Sequence, residues 1–275
     1  MIWLREDLKG RFPGDDAFDK ILHLEGEVFR ELAGRRTLKF VLGGKSYFAK
    51  LHFGVGWKEI FKNLIHFRLP VLGAEHELRA IRRFEELGVA TMTLAAYGRR
   101  GWNPARQESF VITEELVNTI SLEDLCRDWP RQPLPASIKR ALLREVAETA
   151  KALHNNGVNH RDFYLCHFLL DRSWLDTGGG CGKPKLHVID LHRVQLRDHT
   201  PSRWVVKDLA GLFFSSMDAG LTKRDYLRFV KCYRNSPLRQ TLAQEKSFWL
   251  RVTHRAVRLY QREFGRSPHS LPFAM

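Results

Sequence analysis

The order of two hydrophobic patterns along the chain constrains its fold most. Strand-like alternation dominates up to residue 115, and helical spacing dominates after residue 118. Strands followed by helices predict an α+β protein rather than an alternating βαβ one. We therefore expect two lobes, formed by residues 1–117 and 118–275, with a cleft between them that is suited to binding a ligand.

The first lobe is predicted to be an antiparallel sheet with one main helix. A Gly43-Gly44 pair between two strand-like runs marks a hairpin. Residues 73–87 have the apolar spacing of a helix that ends before Gly88. Residues 1–22 favour a short helix. The predicted strands are residues 25–32, 36–42, 46–51, 91–97 and 109–115.

The second lobe is predicted to be mostly helical. Ser121, followed by Asp124, has the pattern of a helix N-cap. A polar, glycine-rich turn is expected at residues 171–184, and a strand at residues 185–191. Helical spacing covers four longer segments, at residues 137–155, 204–219, 222–234 and 240–264.

The composition indicates a basic globular protein. The chain has 45 Lys and Arg against 31 Asp and Glu, a net charge of +14, so an anionic partner is expected: nucleic acid, a membrane surface, an acidic protein or a phosphorylated substrate. The four cysteines lack metal-site spacing and suit free thiols in a reducing compartment. Acids interrupt the N-terminal segment where a signal peptide would be apolar, and no stretch reaches the ~18 apolar residues of a membrane span. We expect a cytoplasmic protein.

Residues 54–70 form an amphipathic segment within the first lobe. Its apolar residues share one helical face, and its cations are Lys58, Lys62, His66 and Arg68. A basic amphipathic helix with Trp57 and Phe61 suits an anionic membrane surface. The alternative, of about equal weight, is a helix that packs on its own domain.

Four ionisable residues stand out as chemistry-bearing. Asp162 follows a helix-stopping Asn-Asn-Gly and precedes an apolar run, which fixes an acid on a turn. Glu77 lies roughly 40° from the centre of its helix's apolar stripe, so it points inward and needs a cation, for which Lys50 is the candidate. Asp190 lies on a predicted strand and offers a hard oxygen ligand for Mg²⁺. Such a set predicts phosphoryl transfer.

These residues occur in segments that resemble, in order and spacing, those of the protein-kinase-like enzymes. His160-Arg161-Asp162 resembles the catalytic loop, and Phe48-Ala49-Lys50 resembles the end of the strand that carries the ATP-binding lysine. Ile189-Asp190-Leu191-His192 stands at the place of the Asp-Phe-Gly segment, and Lys207-Asp208-Leu209-Ala210 resembles the helix that braces the loop. The resemblance implies a bilobal kinase-like fold.

The resemblance also implies roles. Asp162 would be the catalytic base, Asp190 would hold Mg²⁺, Lys50 with Glu77 would bind the ATP phosphates, and Asp208 would brace the loop without reacting. The adenine would meet the backbone of Glu114, Glu115 and Leu116.

Two departures from the kinase pattern affect the nucleotide and metal sites. His167 replaces an expected asparagine five residues after the aspartate, so it binds metal or phosphate, or only packs, and the number of metal ions stays open. The glycine-rich loop is missing, and only Gly34 lies between the first two strands. Arg35 and Arg36 beside it either attract phosphate or are merely solvated.

More narrowly, His160 to Leu170, the inserted 54–70 segment and Ile189 to Arg193 resemble the lipopolysaccharide core heptose kinases. This resemblance implies ATP-dependent phosphorylation of the first inner-core heptose, with the core–lipid A molecule as acceptor. It also implies peripheral association with the cytoplasmic face of the inner membrane. An acidic protein partner stays open, because the same basic surface would serve it.

Other functions compete with this one. Within the class, a Kdo kinase, a protein-tyrosine kinase or an aminoglycoside kinase would share these residues. A pseudokinase that only binds is favoured slightly by His167 and the missing glycine loop, whereas Lys50, Asp162 and Asp190 count against it. Nucleic-acid binding has only the charge in its favour, with no recognition motif, so no nucleic-acid partner is expected.

Overall fold

The computed structural model describes residues 1–32, 34–54, 56–57, 73–103, 105–179 and 182–268. Its contacts divide the chain into two compact units. The first, called the strand unit below, comprises Met1–Arg83 and Met92–Val117. The second, the helix unit, comprises Phe84–Thr91 and Asn118–Met275.

An antiparallel sheet forms the frame of the strand unit. Within the described residues it has six strands in the order β1-β5-β6-β4-β3-β2, and every neighbouring pair is antiparallel. The strands are β1 (Ile2–Leu4), β2 (Glu27–Leu32), β3 (Arg35–Leu42), β4 (Lys45–His52), β5 (Leu94–Arg100) and β6 (Glu108–Glu114).

The β3–β4 hairpin confirms the Gly43-Gly44 turn. Both glycines have positive φ, 59° and 77°, which residues with a side chain rarely adopt. Burial alternates along β4, where Ala49 and Leu51 are fully buried in the core of the sheet. Because Lys50 falls between these two positions, its side chain lies on the opposite face of the strand.

The N-terminal segment corrects the prediction of one short helix at residues 1–22. It contains strand β1 and two helices, α1 (Glu6–Lys9) and α2 (Ala17–Leu22). The backbone of Leu4 pairs with Ala96 of β5, which adds a sixth strand to the five that were predicted. A strand of three residues is too short for its pattern to show in a sequence, so only the tertiary pairing with β5 reveals it.

Helix α3 (Glu75–Glu86) confirms the helix predicted at residues 73–87. Ile81 and Phe84 of its apolar stripe are fully buried. Gly88 has a φ of 66°, and Val89 N donates to Phe84 O at 2.9 Å, which satisfies a carbonyl at the helix end. The strand predicted at residues 91–97 lies three residues further along the chain, since β5 runs from Leu94 to Arg100.

Helices dominate the described part of the second unit. They are α4 (Leu122–Cys126), α5 (Ala136–Asn155), α6 (Arg172–Asp176), α7 (Ser202–Ser216), α8 (Lys223–Arg234), α9 (Leu238–Gln244) and α10 (Lys246–Phe264). Helix α5 packs on α8, and α7 packs on α10. Rings from three of these helices meet around Phe213, which contacts Tyr226, Phe229 and Trp249 at centroid distances of 5.2–6.4 Å.

Short strands in the helix unit hold the loops that carry the acids. They are β7 (Thr119–Ser121), β8 (Val158–Asn159), β9 (Phe168–Asp171), β10 (Leu186–Val188) and β11 (Gln195–Leu196). They pair antiparallel as β10-β9-β7 and as β11-β8. Strand β8 therefore ends where the catalytic-loop segment begins, and β10 ends just before Asp190.

Several boundaries in this unit differ from the predictions. The Ser121 cap is confirmed, with its hydroxyl accepting from Asp124 N at 3.0 Å. The predicted turn at residues 171–184 contains helix α6, and the predicted helix at 240–264 is divided at Glu245. The predicted strand at 185–191 stops at Val188, because Asp190 has a φ of 64° that no strand tolerates.

Three further predictions concern parts of the chain that are described only partly. Most of the amphipathic 54–70 segment, from residue 58 onward, lies outside them. Among the helices that are described, none combines the length and apolarity needed to cross a membrane. Cys126, Cys166 and Cys232 are free thiols, as predicted, whereas Cys181 is not among the described residues.

Candidate active site

An ion pair in the strand unit joins β4 to α3. Lys50 Nζ donates to Glu77 Oε1 at 2.6 Å. Glu77 is only 3% exposed, and burying a carboxylate is costly unless a cation compensates it. The pair that the helical spacing predicted is thus formed. It fixes an ammonium group on the face of β4 opposite the sheet's apolar core.

The carboxylates at the end of β6 are held by cations. Arg5 donates to Glu114 at 2.5 Å, and Lys39 donates to Glu115 at 2.6 Å. This hydrogen bond from Lys39 lowers the pKa of Glu115. Since both side chains are engaged, a ligand at Glu114–Leu116 would meet the backbone rather than the carboxylates. Arg5 was missed at the sequence level because it contacts Glu114 from 109 residues away.

Gly34 lies at the turn between β2 and β3, as predicted. Its φ is 77°, and its carbonyl accepts from Phe53 N at 2.9 Å. The side chains of β2 are exposed along the whole strand, and Phe29 rests edge-on against Phe48 at 5.2 Å. Nothing in this geometry tests a nucleotide contact at Gly34, so that role stays a prediction.

In the helix unit, Asp208 of α7 braces the catalytic-loop segment. It is 1% exposed and accepts from two successive backbone amides, His160 N at 2.6 Å and Arg161 N at 2.8 Å. His160 is fully buried, and its Nε2–H donates to Ile189 O at 3.0 Å. Burial lowers the pKa of His160, so its imidazole is neutral and links the loop to the segment before Asp190.

Asp162 follows a residue in a rare backbone conformation and is paired with an arginine. Arg161 has a φ of 75°, in the left-handed region that residues other than Gly, Asn and Asp seldom occupy, and the bonds to Asp208 hold it there. Arg193 Nη1 donates to both oxygens of Asp162, at 2.8 and 2.9 Å. Nothing in the residue pattern predicted this pair. The only available signal was that Arg193 closes the Ile189–Arg193 segment that resembles the heptose kinases.

Asp190 and His167 come together beside this loop. The Asp190 backbone is left-handed, and its Oδ1 accepts from His192 Nδ1 at 2.5 Å. Its Oδ2 lies 3.7 Å from His167 Nε2. His167 Nδ1 lies 2.6 Å from Asp162 O, a carbonyl that can only accept, so Nδ1 carries a proton, and Nε2 faces Asp190.

The Asp190 carboxylate suits a divalent metal ion that is held mainly by bound phosphates. Among the described residues no group of three or more His, Cys, Asp or Glu side chains could hold a metal alone. Mg²⁺ is usually bound by one or two carboxylates, with phosphate oxygens and waters completing the shell, so an imidazole is a less usual ligand for it than an oxygen. His167, whose Nδ1–H donates to a carbonyl, has the orientation of a metal-binding histidine.

Tyr164 and Cys166 are residues of reactive types close to Asp162 in the chain, and their surroundings indicate packing rather than reaction. Tyr164 packs edge-on against Phe214 at 6.0 Å, and burial raises its pKa. Burial, together with nearby carboxylates, raises the pKa of the Cys166 thiol to about 11. A thiol held in its protonated form is a poor nucleophile, which agrees with the interpretation of Cys166 as a packing residue.

These features define the class of the protein. A strand lysine bonded to a buried helix glutamate belongs to phosphotransferases of the protein-kinase-like superfamily. So does an aspartate on a loop whose backbone is braced by a helix aspartate. The α+β arrangement, with a strand-rich and a helix-rich part, is the fold predicted from the sequence.

The chain belongs to a narrower group, the lipopolysaccharide kinase (Kdo/WaaP) family, whose model matches residues 19–233. It is 50% identical over 260 residues to lipopolysaccharide core heptose(I) kinase WaaP of Pseudomonas aeruginosa PAO1, covering 94% of this chain and 96% of that protein. It is 48% identical to the protein of the same name from Escherichia coli K12, covering 95% and 98%.

A solved structure agrees with these relatives. The structure described as WaaP in complex with acyl carrier protein matches with a TM-score of 0.80 and 45% identity, over 94% of this chain and 99% of that one. Together the comparisons confirm the predicted fold class and the predicted enzyme class, a kinase.

Proposed function

We propose that the chain transfers the γ-phosphoryl group of ATP to the first heptose of the lipopolysaccharide inner core. One observation carries this proposal. Relatives that share 47–50% identity over 94% or more of this chain are all named lipopolysaccharide core heptose(I) kinase. At such identity and coverage an acceptor-binding surface is expected to be shared as well as a fold. The residue-level resemblance found in the catalytic loop points the same way.

In this proposal Asp162 is the catalytic base. It orients the heptose hydroxyl and takes its proton as the phosphoryl group is transferred. Its side chain is largely buried, on a backbone held by Asp208, and it is anchored by Arg193. A base held this firmly loses little freedom when the acceptor arrives, which favours an in-line geometry.

The strand unit provides the nucleotide contacts. Lys50 binds the α- and β-phosphates, and Glu77 keeps its ammonium group in position. Backbone groups of Glu114, Glu115 and Leu116 receive the adenine, with Gly34 on the hairpin near the phosphates. Residues 1–117 would then be the ATP-binding lobe and residues 118–275 the catalytic and acceptor-binding lobe.

Asp190 and His167 are proposed to hold Mg²⁺. When bound, the ion neutralises negative charge on the phosphates during transfer. His167 contributes its Nε2 lone pair in place of the amide oxygen that protein kinases use. His192 holds Asp190 by a hydrogen bond to its other oxygen.

Phosphate incorporation from labelled ATP tests the proposed acceptor. The purified chain with Mg²⁺ is given dephosphorylated core oligosaccharide, a Kdo-lipid without heptose, or a tyrosine peptide. We expect label in the heptose-containing acceptor alone. Labelling of the Kdo-lipid or the peptide at an equal rate would reject the acceptor, and absence of turnover with all three would favour a pseudokinase.

We also propose a location and a partner for the chain. The +14 charge suits an anionic inner-membrane surface, where the kinase would act peripherally from the cytoplasmic side. Liposome flotation with and without residues 55–69 would test the inserted segment as the anchor, since unchanged binding would reject it.

A relative is solved with acyl carrier protein, and an acidic protein of that kind would suit the same basic charge. Complex formation with acyl carrier protein that weakens from 0.05 to 0.5 M salt would support the partner.

A further inference from the structure

Three half-buried cations surround the catalytic loop. Arg161, Arg193 and Lys207, called the Lys207 cluster below, interact electrostatically with one another and with Asp162. Arg193 comes from the short helix after Asp190, and Lys207 comes from α7, one residue before the brace Asp208. Three separate segments thus bring positive charge to the proposed base.

The carboxylates nearest this cluster, Asp162 and Asp208, offset only part of its charge. Asp162 is engaged by Arg193 in two hydrogen bonds, and Asp208 accepts from backbone amides. Lys207 Nζ has no hydrogen bond or ion pair to the described residues, and its contact is the ring of Trp204, 5.7 Å away. The buried Arg161 Nε likewise lacks a hydrogen-bond partner among them.

A neighbouring side chain adds more positive charge. Arg197 lies over the Trp204 ring at 5.7 Å, beside Arg161 of the cluster at 5.4 Å. Arg197 donates to the neutral oxygens of Asn159 and Gln195 rather than to a carboxylate. Among the described residues of this region, cations therefore outnumber acids.

The cluster is electrostatically strained as it stands. Burial lowers the pKa of Lys207, and the nearby Arg161 and Arg193 lower it further. Burial and Arg193 lower the pKa of Arg161 in the same way. Like charges that are held together and partly desolvated are stabilised by a bound anion.

We propose that the Lys207 cluster is an anion subsite that binds a carboxylate or phosphate group of the acceptor, next to the hydroxyl presented to Asp162. The inference rests on the proposed function, because it concerns the acceptor of that reaction. Arg193 touches Asp162 directly, so an anion held by Arg193 and Lys207 lies beside the group that meets the acceptor hydroxyl. The resemblance to the heptose kinases implies an acceptor that carries Kdo carboxylates. ATP is a second source of the same chemistry, through its γ-phosphate.

The decisive experiment compares two acceptors that differ only in charge. One is dephosphorylated core oligosaccharide with free Kdo carboxylates, and the other is the same oligosaccharide with these groups as methyl esters. For wild type we expect kcat/KM to favour the free carboxylates by roughly 10- to 100-fold, the range of one or two charge-assisted hydrogen bonds. Lys207→Met should remove most of this preference by lowering kcat/KM for the free acid alone, with KM for ATP unchanged.

Arg193 is tested as a positioning residue in the same assay. Arg193→Lys keeps the charge, but its shorter side chain is expected not to reach the position of Nη1, which contacts both Asp162 oxygens. The Arg193→Lys variant should retain most of the preference for the free acid, a preference that is measured in KM. Its kcat should fall with both acceptors. Arg193→Met should lose both the preference for the free acid and the wild-type kcat. Equal kcat in wild type and Arg193→Lys would contradict the positioning role.

Other outcomes overturn the proposal. A preference for the free acid that persists in Lys207→Met rejects the subsite. If KM for ATP rises in Lys207→Met while the preference for the free acid persists, the anion that the cluster binds belongs to the nucleotide instead. Arg239→Gln, which removes one exposed charge from α9, is the matched control and should leave both constants within about twofold. Thermal unfolding of each variant excludes loss of fold as the cause.

Direct titration separates this inference from the proposed function. If wild type phosphorylates neither oligosaccharide, the proposed function fails. Calorimetric binding of the free acid and the ester to wild type and Lys207→Met still decides the subsite. Charge-selective binding that is lost in the variant supports it, and equal binding of both compounds by wild type overturns it.

Discussion

The two units place their functional side chains in different ways. In the strand unit, the Lys50 ammonium group is bonded to the buried carboxylate of Glu77. In the helix unit, Asp162 depends on a network in which Asp208 holds two backbone amides and Arg193 holds the carboxylate. The proposed phosphate site thus relies on an ion pair between two side chains, whereas the proposed catalytic loop relies on backbone amides and a carboxylate that are held from several segments.

Replacing the proposed base should have the largest effect. Asp162→Asn keeps the shape of the side chain but cannot accept the hydroxyl proton, so kcat should fall by roughly 10²–10⁴-fold, the usual contribution of a general base. ATP binding should survive, because the nucleotide contacts are proposed to lie elsewhere. Steady-state kinetics and ATP titration measure both quantities. Asp198→Asn, at an exposed position, is the control, and near-normal turnover in Asp162→Asn would reject the assignment.

Removing the brace tests the helix-unit network. Asp208→Ala leaves the amides of His160 and Arg161 without their acceptor in a buried site. Charge-assisted hydrogen bonds contribute about 1.5–3 kcal/mol each, so unfolding free energy should fall by about 3 kcal/mol or more, and activity should fall with it. Urea unfolding measures the change. Asp176→Ala, at an exposed position, should stay within about 0.5 kcal/mol, and equal stability of the two variants would show that the brace is dispensable.

The sequence predicted the strand-unit site better than the helix-unit site, for a physical reason. Glu77 follows from helical periodicity, and a buried acid demands a cation, so the pair with Lys50 could be derived from local patterns. Asp162 and Asp190 could be singled out as acids on a turn and on a predicted strand, but Asp208 became assignable only through resemblance, because it contacts a loop up to 48 residues away. Arg193 and Lys207 gave no periodic signal, since loop position and long-range packing decide where their charges lie.

Short elements were missed for a related reason. Strand β1 and the division at Glu245 depend on tertiary pairing and helix packing, not on a repeated pattern. Asp190 was predicted to lie on a strand, yet its left-handed backbone turns the chain and brings Arg193 to Asp162. A turn of this kind is set by its tertiary contacts, and the residue types in Ile189–Arg193 do not by themselves predict it.

The Lys50–Glu77 pair of the strand unit gives a narrower prediction. Glu77→Gln removes the charge that pairs with Lys50 but keeps the side-chain volume. KM for ATP should rise by roughly 10-fold, about 1.4 kcal/mol, because the ammonium group loses the buried carboxylate that helps to position it. Adding Lys50→Met to Glu77→Gln should cost less than the sum of the two single changes, since the residues act as a unit. Glu75→Gln, on the same helix but in an exposed pair with Arg99, is the matched control and should change KM by less than twofold.

The smallest effect concerns Cys166, which lies four residues beyond the proposed base. Its pKa of about 11 leaves little thiolate near neutral pH, so iodoacetamide should alkylate it about 100-fold more slowly than a free cysteine at pH 8. Because the pKa is raised, the rate of alkylation should increase about tenfold per pH unit and show no plateau up to pH 9.5. Peptide mass spectrometry at timed intervals gives the rate, and Cys166→Ser identifies the peptide and should keep wild-type turnover. A plateau near pH 8 would reveal an activated thiol and reopen a covalent route. The expected result leaves direct transfer to the acceptor as the chemistry of the Asp162 loop.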